Sequence, residues 1–202
     1  MKIIKLGFIT LFVLFFTQVL TAQNSSNKFS FRAGLNSAQL DFGGFKVDPV
    51  IGLNIGASYE LLNLSDKIIL RPEIMFSQQG FSVLNEEYGE SGYIDVDKKI
   101  NLNYLTLPLN LDFQIDNKFS IEAGPYIGLL LNKGQFKEID LQDDNVKSAD
   151  FGFNAGINYA ITNKIKLDVR FLAGSNILKT TGDFLDLEAN NKVWQFGIII
   201  KP

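Results

Sequence analysis

Apolar and polar residues alternate along most of this chain with a period of two. In "IGLNIGASYEL", Ile51, Leu53, Ile55, Ala57, Tyr59 and Leu61 share one face; Gly52, Asn54, Gly56, Ser58 and Glu60 share the other. Such alternation marks a β-strand with one apolar and one polar side. The preceding "KFSFRAGLNS" sets Phe29, Phe31, Ala33 and Leu35 against Ser30, Arg32, Gly34 and Asn36. Six later segments repeat the pattern: "IILRPEIMFSQQG", "NYLTLPLNLDF", "FSIEAGPYIGLLL", "DFGFNAGINYAI", "IKLDVRFLAG" and "VWQFGIII". In the last of these the second face is less polar, because Val193 and Ile199 accompany Gln195 and Gly197. Eight strands are predicted, with little helical periodicity between them.

The connections alternate in length. Those after the second, fourth and sixth strands are tight and polar ("NLSDK", "QIDNK", "TNK"), as hairpin turns are. The others are long: Ala38 to Asp48, Phe81 to Lys99, Asn132 to Lys147 and Ser175 to Asn191. Short turns at one end and long loops at the other fit an eight-stranded antiparallel up-and-down transmembrane β-barrel, an all-β fold with both termini on the periplasmic side.

Alternation alone leaves open which face is inside, since a soluble barrel binding an apolar ligand uses the same pattern. Three features favour apolar side out. Charge is nearly confined to one face, and a lipid-facing charge costs about 2–4 kcal/mol at the bilayer midplane. Glycines recur on that charged face (Gly52, Gly56, Gly124, Gly128, Gly152, Gly156), as a crowded small-barrel interior requires. Aromatics such as Phe29, Tyr59, Phe119, Tyr159 and Trp194 lie near strand ends on the apolar face, like interfacial girdles. Against the pattern, Pro72, Pro108 and Pro125 fall inside predicted strands, where each removes a ladder donor. A β-bulge or a register shift at each is the expected accommodation.

The chain opens "MKIIKLGFITLFVLFFTQVLTAQ", with a basic start, an apolar run shorter than the roughly 20 residues of a spanning helix, and Ala22 before Gln23. This reads as a signal peptide over residues 1–22, leaving a barrel domain over residues 23–202. Cysteine and histidine are both absent. That excludes disulfide stapling, His-dependent nucleophilic catalysis and most zinc sites. The net charge of −3 and the lack of a basic stripe argue against nucleic acid as a partner.

The candidate site is the charged face itself: Arg32, Glu60, Arg71, Glu73, Asp112, Glu122, Asp168 and Arg170. An eight-stranded barrel is only wide enough for side chains to fill, so these residues are expected to pair as a structural plug. A conducting pathway is the alternative. No catalytic, cofactor-binding or metal-ligating set is assigned. The acidic loop "NEEYGESGYIDVDKK" lacks the spacing of a calcium loop and reads as a solvated segment.

At "LRPEIMFSQQG", "NYLTLPLNLDF", "EAGPYIGLLL" and "DFGFNAGINY" the chain resembles PorT-like outer-membrane β-barrel proteins, often labelled porin family. The resemblance runs from about Lys28 to Ile200. It implies an eight-stranded barrel in a Gram-negative outer membrane, in a group most of whose members have no assigned activity; with no histidine and no nucleophile arrangement, the chain is not expected to be an enzyme. Its namesake is linked to protein secretion and export. The partners implied are outer-membrane lipid, the barrel-assembly machinery and secretion-system proteins.

Overall fold

The computed structural model describes residues 28–41, 48–89, 92–132, 147–181 and 186–202. The proposed signal peptide and part of each long connection lie outside the described residues. Among the described residues every element is a strand: β1 (Phe29–Asp41), β2 (Asp48–Tyr59), β3 (Leu62–Ser65), β4 (Ile68–Gly89), β5 (Gly92–Gln114), β6 (Phe119–Leu130), β7 (Ala149–Ala160), β8 (Ile165–Thr181) and β9 (Asp186–Ile200). Neighbours pair antiparallel in the order β2-β1-β9-β8-β7-β6-β5-β4-β3, and a further β2–β4 pairing closes the sheet on itself. A closed sheet leaves no edge in the bilayer, which is what allows strands to cross it.

The short β3 prolongs β2 rather than adding a ninth stave. Both pair with β4, but the register moves by one residue between Ser58↔Glu73 and Leu62↔Leu70. Glu60 and Leu61 form the step, and the Leu61 amide bonds the Leu70 carbonyl across it at 2.9 Å. The barrel therefore has eight strands. Most of "NLSDK", expected as a turn, is strand; only Asp66 and Lys67 turn the chain.

The alternation sorts as the physics of lipid requires. Ile51, Leu53, Ile55, Phe153, Ile157 and Trp194 are among the outward, exposed positions. The opposite face is buried and polar. At the turn end, Phe29 stacks on Tyr59 and Phe119 on Tyr159, each pair in register with ring centroids 4.8 Å apart.

Two expectations are corrected. The long connections are in part β-ribbon: β4 and β5, 22 and 23 residues long, pair out to Gly89↔Gly92. A bilayer crossing needs only about 9–11 tilted residues, so both strands project well beyond it. The ladders of β8 and β9 likewise reach Thr181↔Asp186. Pro108 and Pro125 introduce neither bulge nor register shift, whereas the one-residue step of the β2–β3 register lies opposite Pro72, between Glu73 and Leu70 on β4. Pro72 faces Leu109 and Pro125 faces Phe153, and the β4–β5 and β5–β6 registers are the same on both sides of the proline positions. Clustering the missing donors in one patch of three adjacent strands leaves the rest of each ladder intact.

Candidate functional site

Inward positions recur every second residue, so each strand delivers a column of side chains to the lumen. Stacked columns make layers. Nearest the turns lies the charged belt. Arg170 on β8 reaches across the lumen, donating from Nη1 to Glu73 Oε2 at 2.8 Å and from Nη2 to Glu73 Oε1 at 3.0 Å. Its Nε donates to Glu122 Oε1 at 2.6 Å. Arg71 on β4 holds the other Glu122 oxygen at 2.6 Å and Asp112 Oδ2 at 2.5 Å. Asn158 adds a donor to Glu122 at 3.1 Å, and Asn110 one to Glu73 at 3.3 Å. Five of the candidate residues thus form one cluster lacing β4, β5, β6 and β8.

The remaining three stand apart. Arg32 on β1 and Asp168 on β8 form their own buried ion pair. Glu60 is a correction to the expected network: it sits at the turn-side mouth and pairs with Lys201 Nζ at 2.9 Å. The step between β2 and β3 places it there, away from the belt.

Above the belt the lumen is polar but nearly neutral. Asn54 donates to Asn36 Oδ1 at 2.7 Å, Asn36 to Ser77 Oγ at 2.9 Å, and Gln79 to Ser77 at 3.0 Å. Asn191 bridges Gln79 and Asp150 at 2.6 and 3.0 Å, and the Tyr126 hydroxyl donates to Asp150 at 2.9 Å.

In the loop-side half the interior is mixed: Leu40, Val50, Phe81, Ile100, Leu102, Leu172 and Val193 are buried alongside the polar Gln79, Asp150 and Asn191. Inward apolar residues here are not what the alternation predicts; Val193, on the less polar face of the last strand, and Leu172 are among them. At the opposite end the mouth encloses a cavity of about 220 Å³ floored by Arg71 and walled by Ser120 and Lys166.

Chemically, the belt crosslinks the wall. Glu122 and Arg170 are both buried, at 2 % and 0 % exposure. Removing one partner of such a pair leaves a buried charge uncompensated, at a cost of about 3–5 kcal/mol. Among the described residues no group of three or more His, Cys, Asp or Glu side chains is placed to hold a metal ion.

A closed eight-stranded barrel, apolar outside and ion-paired within, defines an integral outer-membrane β-barrel. The chain belongs to the outer membrane protein beta-barrel domain family, whose match spans residues 5–176. Among solved structures it is similar to Neisserial surface protein A, at 14% identity and a TM-score of 0.54, covering 87% of this chain and 97% of that one. Ail, the attachment invasion locus protein of Yersinia pestis, matches at 14% identity, a TM-score of 0.47 and coverage of 87% and 99%. OprG from Pseudomonas aeruginosa matches at 13%, 0.44, and 85% and 94%. At these identities the likeness concerns the fold alone. No curated protein matches the chain.

Proposed function

We propose that this protein is a non-conducting, non-catalytic outer-membrane barrel whose work is done by the segments projecting from its loop-side rim. One contrast carries the reading. The lumen is crossed by the Arg71–Glu122–Arg170–Glu73 cluster and packed toward the loop end by buried polar and apolar side chains. Beyond the rim, by contrast, β4 and β5 continue from Ser82↔Lys99 out to Gly89↔Gly92, paired only with each other among the described residues. A strand edge without a neighbour is a ready template for a partner strand.

The finer form of the proposal is support of protein export or assembly at the outer membrane, as the PorT-like motifs imply. Residues 1–22 are then the signal peptide. Both termini then lie in the periplasm, the side on which outer-membrane barrels carry their short turns. Secretion-system proteins are the partners of the projecting segments, the barrel-assembly machinery acts during insertion, and lipid surrounds the apolar belt.

Two measurements test it. Purified protein in planar bilayers is expected to show no steady conductance; steady channels abolished by Arg71 or Glu122 substitution would overturn the plug. Co-purification in mild detergent is expected to recover partners that are lost when residues 83–98 are replaced by a tight turn. An unchanged partner set would sink the role given to the ribbon.

A further inference from the structure

The turn-side mouth is lined by five basic and two acidic side chains. Its cavity of about 220 Å³ is bordered by Arg71, Lys118, Lys164, Lys166 and Lys201 against Glu60 and Asp116. Lys201 is already paired with Glu60, and Arg71 with Asp112 and Glu122. Asp116 is engaged by its own turn, accepting from the Lys118 and Phe119 amides at 2.7 and 2.8 Å. Lys118, Lys164 and Lys166 are left without an ion pair among the described residues.

A second observation points into the same space. Ser120 lines the cavity and is 4 % exposed, yet its Oγ has no hydrogen-bond partner. A buried hydroxyl is ordinarily satisfied. Lys166 faces the lumen from β8, one step from the turn. Asp112 gives one oxygen to Arg71, and no hydrogen bond reaches its other oxygen.

The geometry points to an anion site: a carboxylate or phosphate group seated on the Lys166 ammonium and the Ser120 hydroxyl, with Lys118 and Lys164 steering it in from the rim. The volume suits one such group with its nearest substituents. Charge-assisted hydrogen bonds inside a walled mouth are stronger than the same contacts on an open surface. Two sources share this chemistry, a free anion and the headgroup of an anionic lipid, because the short turns hold the mouth close to the headgroup plane.

The test is an NMR titration of the full chain folded in uncharged detergent, following the Ser120 and Lys166 amides. Inorganic phosphate is added at ionic strength held constant with sodium chloride. Saturable shifts are expected, with half-saturation on the order of 1 mM. Lys166→Met is expected to weaken binding by about tenfold or more, Lys166→Arg to retain it, and Lys67→Met, outside the cavity, to leave it unchanged. Folding of each variant is checked by heat-modifiable electrophoretic mobility. Should Lys166→Met fail to fold, Ser120→Ala is expected to weaken binding in its place. A second arm substitutes micellar short-chain phosphatidylglycerol: tighter saturation than with phosphate names the headgroup as the source, weaker or equal saturation the free anion. Shifts linear in salt of any kind, or identical titrations of wild type and the Lys166 or Ser120 variant, would overturn the site.

Discussion

Arg170 and Glu73, 97 residues apart in the chain, meet across the lumen through two parallel hydrogen bonds of 2.8 and 3.0 Å. Arg170 also holds Glu122. Arg170→Met therefore strands buried carboxylates, and the expected loss is about 3–5 kcal/mol. Adding Glu73→Gln removes one stranded charge, while Arg71 still holds Glu122. The double variant should accordingly be more stable than Arg170→Met alone. Urea unfolding from lipid vesicles, followed by the fluorescence of Trp194, the single tryptophan, measures both. A double variant no better than the single would show that the pairs do not act as a unit.

Ile55 and Leu64 are equally exposed, at 60 % and 58 %, but sit at different depths. Ile55 lies in mid-strand, paired with Ala33 and Phe76, whereas Leu64 is two residues from the Asp66–Lys67 turn. In a bilayer Ile55→Arg should cost about 2–4 kcal/mol and Leu64→Arg about 0–1 kcal/mol. In water both would be near neutral, so equal tolerance in vesicle-folding assays would contradict the membrane assignment of this face.

Much of this architecture is legible in the sequence because lipid imposes it residue by residue. Ile55, Phe153 and Trp194 have no alternative to facing outward once Asn54, Asn154 and Gln195 face in. The pairing partners are not legible: nothing local to Arg170 indicates Glu73 rather than Asp168, since register and stagger decide which columns meet. The buried apolar residues near the loop end are not legible for a related reason: at Phe171-Leu172 both faces are apolar, so alternation fails there. The ribbon strands escaped notice because outside the bilayer neither face needs to be apolar. "SVLNEEYG" therefore reads as loop while its backbone pairs as strand.

Gly124 and Gly128 lie on the same face of β6 and look alike in sequence. A Cβ at Gly124 would come within 2.0 Å of the Leu109 carbonyl oxygen on the neighbouring strand. At Gly128 the nearest atom is a Tyr104 ring carbon at 3.4 Å, an ordinary contact. Gly124→Ala must push two backbones apart and is expected to destabilise by about 1–3 kcal/mol. Gly128→Ala is expected to fall within about 0.5 kcal/mol of wild type. Matching urea midpoints for the two variants would mean that the β5–β6 approach at the proline patch is looser than described.

Two turns of similar sequence, "IDNKF" at 115–119 and "ITNKI" at 161–165, use the same device with different chemistry. Asp116 Oδ1 accepts from the amides of Lys118 and Phe119; Thr162 Oγ1 accepts from those of Lys164 and Ile165. The Phe119 and Lys118 amides hold the Asp116 carboxyl below its usual range, because they bond the charged form. A depressed folded-state value means a contribution that is complete above the unfolded pKa of about 3.9 and lost as pH falls through the folded value. Asp116→Asn keeps an acceptor and removes the charge. Its stability deficit should be constant from neutral pH down to about 5 and close in stronger acid. Thr162→Ala removes an acceptor that does not titrate, so its deficit should be independent of pH. Urea midpoints of the three proteins across that range decide the matter: parallel curves for Asp116→Asn and wild type would mean that the charge at Asp116 does not stabilise its turn.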